Sequence, residues 1–127
     1  QSQATVTDNT RFEKGLEIQT NTFGQRILDA HANAPENQKH IQNYLSAMCF
    51  GDFYTREGLD MKTRELLTFI MIISLGGQEA QATGHAIGNL SVGNGKDTLI
   101  EAVTQCIPYI GYPRVLNAIS IINNVGN

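Results

Sequence analysis

Apolar residues along the chain recur at spacings of three and four, and no alternating apolar and polar run is long enough to demand a sheet. The pattern predicts an all-α fold of about six helices. The first is expected over about Phe23 to Asn33, with Phe23, Ile27, Leu28 and Ala30 toward one side. It ends before Pro35, which suits the first turn of the next helix. That second helix carries Ile41, Tyr44, Leu45, Met48 and Cys49 as one apolar stripe and breaks at Gly51, leaving Phe50 to Leu59 as an irregular loop. Asp60 is placed to cap a third helix, Met61 to Leu75, which is apolar all round and is therefore expected to be central. Gly76 and Gly77 end it, and a fourth helix, about Gln78 to Val92, returns with many small residues, so the two form a central antiparallel hairpin. After the turn Gly93-Asn94-Gly95, Asp97 is expected to cap a fifth helix carrying Leu99, Ile100, Val103, Cys106, Ile107 and Ile110, which Pro108 should kink or shorten. A last helix carries Val115, Leu116, Ile119 and Ile122 and frays into Asn123 to Asn127.

Length and composition fit this picture. With 127 residues, 41% of them hydrophobic and 17% charged, the chain can build one core, here expected over residues 13–127 behind a polar, flexible segment 1–12. The net charge of -3, with neither sign in a long run, argues against a nucleic-acid partner held through phosphates. The longest apolar stretch, Leu66 to Leu75, is half of the roughly 20 residues a membrane-spanning helix needs, so no membrane partner is expected. The chain starts at Gln1 and runs through a polar segment to Thr10, which suggests that something upstream was removed, a secretory signal among the options. Cys49 and Cys106 lie far apart in apolar sequence with no CxxC and no metal-ligand spacing. They read as two buried thiols, with a disulfide open if the protein is exported. No metal site is expected.

Polar residues at matched distances from the Gly76-Gly77 turn can face each other across the hairpin. Glu65 lies about eleven residues before Gly76 and His85 about eight after Gly77, an offset of a few ångströms at about 1.5 Å per residue. A carboxylate beside an imidazole fixes its tautomer and raises its basicity, the arrangement of a His that moves protons near neutral pH. The plainer alternative is a satisfied, partly buried His. Arg64 could bind a substrate carboxylate through its planar fork, or be solvated as most helical arginines are. His31 and His40 read as surface residues, and Glu79 falls on a different helix face from His85. Asn89-Leu90-Ser91 matches the glycosylation pattern, by chance at a helix end. Tyr109 and Tyr112 could line a pocket or pack helix ends.

The run from Phe50 through Gly51-Asp52-Phe53-Tyr54-Thr55-Arg56-Glu57-Gly58-Leu59-Asp60 to Met61-Lys62-Thr63-Arg64-Glu65-Leu66 resembles the central motif of the carboxymuconolactone decarboxylase family. His85 falls where the family has its helical His, Gly93 follows at the expected turn, and Tyr109-Ile110-Gly111-Tyr112-Pro113 is similar to its Tyr-x-Gly-aromatic-Pro signature. The likeness runs from about Glu13 to Val125. It implies an all-α, AhpD-like subunit that assembles into trimers or hexamers. The alkylhydroperoxidase-like branch needs a CxxC where this chain has Gln78 and Gln81, so thiol peroxidase chemistry is not expected. The other branch implies a lyase that decarboxylates 4-carboxymuconolactone with no metal or organic cofactor. By that resemblance Arg64 and Arg56 orient the carboxylates of a small anionic substrate, with Tyr109 lining the site, His85 carries the proton and Glu65 positions His85. The resemblance also favours the cytoplasm. A noncatalytic, oligomeric member that binds a small ligand or a protein is the alternative from another class.

Overall fold

A computed structural model describes residues 1–126. It contains seven α-helices, one 3₁₀ turn and one π-helix, and no strand occurs among the described residues. The chain is therefore all-α. It divides into two compact units, Gln1–Asp60 and Met61 onward.

The first unit holds α1 (Arg11–Phe23), α2 (Arg26–Asn33), a 3₁₀ turn (Glu36–Gln38), α3 (Lys39–Tyr44) and a π-helix (Leu45–Tyr54). Helix α1 is the one the apolar pattern does not predict. Its buried face is Gly15, Gln19 and Thr22, helical spacing without an apolar residue. The π-helix replaces the expected break at Gly51 and the first half of the expected loop. Its buried set is Ser46, Phe50, Gly51 and Tyr54, while of the predicted stripe Ile41, Tyr44, Leu45 and Met48 are exposed and Cys49 is half-buried. Gly51 is there for approach. A Cβ on it would collide with the Arg11 carbonyl, and a Cβ on Gly15 with the Ser46 carbonyl, so α1 and the π-helix touch backbone to backbone. Arg11 and Asp52 lock the same contact as an ion pair, with Nε 2.9 Å from Oδ1. Ahead of α1, Thr5 Oγ1 donates to the Thr55 carbonyl (2.7 Å) and the Glu57 N–H donates to the Gln3 carbonyl (3.0 Å).

The second unit holds α4 (Met61–Leu75), α5 (Glu79–Ser91), α6 (Lys96–Ile110) and α7 (Tyr112–Asn124). Helix α4 has the predicted bounds, and Gly76 and Gly77, at φ 72° and 78°, turn the chain into α5. The core gathers Phe69, Ile73, Ala82, Ala86, Leu99, Val103, Val115 and Ile122. Helix α4 is not buried all round: Leu67, Met71 and Leu75, at i, i+4 and i+8, form an exposed stripe. Gly95, not Asp97, holds the N-cap position of α6; Asp97 sits in the first turn, where a carboxylate favours the helix dipole. Pro108 lies in the last turns of α6 without ending it before Ile110. Helix α7 ends at Asn124; Asn127, part of the expected frayed end, lies outside the described residues.

Candidate active site

The α4–α5 hairpin brings Glu65 and His85 together. His85 Nδ1 lies 2.5 Å from Glu65 Oε1; the carboxylate is fully buried and the imidazole side chain is 17% exposed. A buried carboxylate needs a donor, and the ring supplies one. With Nδ1–H given to Glu65, Nε2 is the second ring atom that can carry or accept a proton.

A second polar pair brackets this contact. Asn89 is fully buried, four residues after His85 on the same helix face. Its Nδ2 donates to the Glu65 carbonyl (3.0 Å) and to the His85 carbonyl (2.8 Å). Its Oδ1 accepts from Asn94 Nδ2 (2.8 Å), and Asn94 Nδ2 also donates to the Lys62 carbonyl (2.8 Å). Sequence reasoning treats Asn89 only as a chance glycosylation match; a fully buried amide with both N–H groups engaged is no glycan acceptor. The signal that could have found it is its position one turn after His85.

The remaining candidates lie on other positions of the chain. Arg64 is half-buried on α4 beside Glu65 in sequence. Arg56 is half-buried in the first unit, just after the π-helix. Tyr109 is 87% exposed near the end of α6. A cavity of about 20 Å³ opens at the Gly76-Gly77 turn, lined by Gln78, Glu79, Arg114 and Asn117 among others, and neither Glu65 nor His85 lines it.

One sequence expectation changes, and one holds in its chemistry. His31 is half-buried, with Nε2 2.8 Å from Ser46 Oγ, and Ser46 Oγ in turn donates to Gln19 Oε1 (2.6 Å). Since Ser46 spends its one proton on Gln19, it accepts from His31, and this serine is not activated as a nucleophile. Cys106 is a thiol whose Sγ–H reaches the Ala102 carbonyl at 3.4 Å, and burial pushes its pKa up. Neither it nor Cys49 forms a disulfide. Among the described residues no three His, Cys, Asp or Glu side chains gather in a way that could hold a metal ion, and no helix is long and apolar enough to cross a membrane.

Comparison with known proteins identifies the family. The sequence model of the Carboxymuconolactone decarboxylase family matches residues 39–124. The chain is 29% identical over 109 residues to a 4-carboxymuconolactone decarboxylase of Acinetobacter baylyi, covering 85% of this chain and 81% of that one. It is 28% identical over 119 residues to a nitrosuccinic acid decarboxylase of Metarhizium robertsii, covering 91% of this chain and 81% of that one. With the family match spanning most of its length, and relatives over nearly all of it, the chain belongs to the carboxymuconolactone decarboxylase family.

Proposed function

We propose that the protein is a carboxy-lyase acting on a small polycarboxylic acid whose leaving carboxylate sits next to an electron sink. The family and the two decarboxylase relatives support a decarboxylase role, and the substrate names of those relatives share this chemistry. The unsaturated lactone of 4-carboxymuconolactone and the nitro group of nitrosuccinic acid can each accept the electron pair that departing carbon dioxide leaves behind. Such a reaction asks the protein to bind anions and deliver one proton.

The observation that carries the reading is the buried Glu65 carboxylate on His85 Nδ1 at 2.5 Å. In the proposed cycle Arg64, next to Glu65 in sequence, holds a substrate carboxylate, Tyr109 lines the site, and the carbon–carboxylate bond breaks with its electrons passing into the sink. His85, as the imidazolium, gives its Nε2 proton to the carbon that becomes electron-rich, and a C–H bond forms. The ring keeps Nδ1–H against Glu65 and regains its second proton from solvent. We further propose that the working form is a homo-oligomer, for which the exposed α4 stripe of Leu67, Met71 and Leu75 is the support.

The test is an ultraviolet assay of purified protein with 4-carboxymuconolactone, nitrosuccinate and related lactones. Turnover by wild type should fall by about 10²-fold or more in His85→Ala, the range for loss of a general acid. Arg64→Ala should raise KM more than it lowers kcat. Wild-type protein that consumes none of these acids would sink the lyase reading.

A further inference from the structure

We infer that Asn89, oriented by Asn94, is a positioning residue that sets the Glu65–His85 contact; as a statement about catalysis this rests on the proton-transfer reading above. Asn89 donates its hydrogen bonds to the backbone, not to the carboxylate or the imidazole. It holds the backbone carbonyls of the two residues that bear them, 3.0 Å to Glu65 on α4 and 2.8 Å to His85 on α5. In an α-helix a carbonyl already accepts from the N–H four residues on, so these carbonyls do not depend on Asn89 for a partner. What the amide adds is a fixed separation between the two points from which the Glu and His side chains spring.

The amide's own orientation is also set. Asn94 donates to Asn89 Oδ1 and to the Lys62 carbonyl, both at 2.8 Å, so one turn residue ties the amide to α4 one turn before Glu65. Every donor of the two side-chain amides is used, two N–H groups on each. A fully buried Asn is expensive to desolvate, and an apolar side chain would pack the hairpin with less difficulty. Polar groups kept in such a place fix geometry more than they add stability. Geometry is what a 2.5 Å contact between two helices needs, because a slip of about 1 Å would break it.

The readout is the tautomer of His85. Held by Glu65 on Nδ1, the neutral ring carries its proton there; released, it populates the Nε2–H form as well. The ¹⁵N shifts of the ring nitrogens, measured on full-length protein at a pH where the ring is neutral, distinguish the two. Wild type should show the Nδ1–H form. Asn89→Ala should stay helical yet shift toward the tautomer mixture seen in Glu65→Gln. With 4-carboxymuconolactone as probe its kcat should fall by about 10-fold to 100-fold, the range for loss of an orienting partner, while KM changes by less than about twofold. Asn94→Ala should move both quantities in the same direction by less, and it decides the matter if Asn89→Ala does not fold.

Folded variants that melt earlier but keep the wild-type tautomer and kcat would reduce Asn89 to a packing residue and overturn the inference. A wild-type ring in the Nε2–H form would do the same. If wild type turns over none of the acids, the lyase reading fails, and the tautomer measurement alone decides whether Asn89 sets the pair.

Discussion

Glu65 has no exposed surface, and a carboxylate so placed is tolerable because His85 meets it at 2.5 Å. Their meeting was readable from counting residues either side of the Gly76-Gly77 turn, since helical rise is fixed. Asn89 and His31 were harder to read, because single-residue type says little about which amide or imidazole the fold will bury; both look like surface polar residues until their partners, Glu65 and Ser46, are known. The cysteines were easier to read, since both are the thiols that their apolar sequence suggests, though half-buried instead of fully buried. Burial disfavours the Cys106 thiolate, so its pKa moves up and at neutral pH it stays protonated. Alkylation by iodoacetamide, followed by peptide mapping near pH 7.5, should label Cys106 in the folded chain at least about tenfold more slowly than in urea-unfolded chain, whose thiol has the ordinary pKa of about 8.5. The folded-state rate should go on rising at a pH where the unfolded-state rate has levelled off. Equal rates would mean that the thiol is accessible and ionises normally.

At the scale of elements, apolar periodicity reports a helix when the helix carries apolar residues at helical spacing, even where, as in α2, none is fully buried. That holds for α4 to α7, whose cores are Phe69, Ala86, Val103 and Ile122 and their neighbours, and these helices appear where the pattern puts them. It fails for α1, which buries Gly15, Gln19 and Thr22, and for the π-helix, whose buried face of Ser46, Phe50, Gly51 and Tyr54 is half polar or glycine and so carries little apolar signal. Glycine misleads in the same region, because Gly51 reads as a breaker by composition and acts as a point of close approach. Gly15→Ala or Gly51→Ala would force a methyl group into a facing backbone carbonyl, which cannot move aside as a side chain can. Each should destabilise the chain by about 3 kcal/mol, the upper end of the overpacking range, or more. Urea melts would check this, and a loss below about 1 kcal/mol would mean that α1 and the π-helix are not held this close in solution.

The two units differ in how they are built. Residues from Met61 onward gather an apolar core from four helices, whereas Gln1–Asp60 buries only Phe50 and Tyr54 of its large apolar side chains and otherwise packs glycines and polar groups. Both units leave apolar residues in the open: Ile41, Tyr44 and Met48 in the first, and in the second Met71 and Leu75 at 59% and 69% exposure. A chain this short has little apolar surface to spare, so stripes at helical spacing call for a cover, and the proposed cover is another copy of the chain. Light scattering should then return a mass several times 13.9 kDa, three or six copies if the family resemblance extends to assembly. Leu67→Glu combined with Met71→Glu removes burial worth about 1.5–3 kcal/mol per side chain and adds two charges, so it should dissociate the assembly at micromolar concentration. Gln105→Glu, on an exposed position of α6, adds one charge away from the stripe and should leave the mass unchanged. A wild-type mass near 13.9 kDa would refute the assembly, and an intact assembly in the double variant would move the interface off α4 to the apolar residues of α3 and the π-helix.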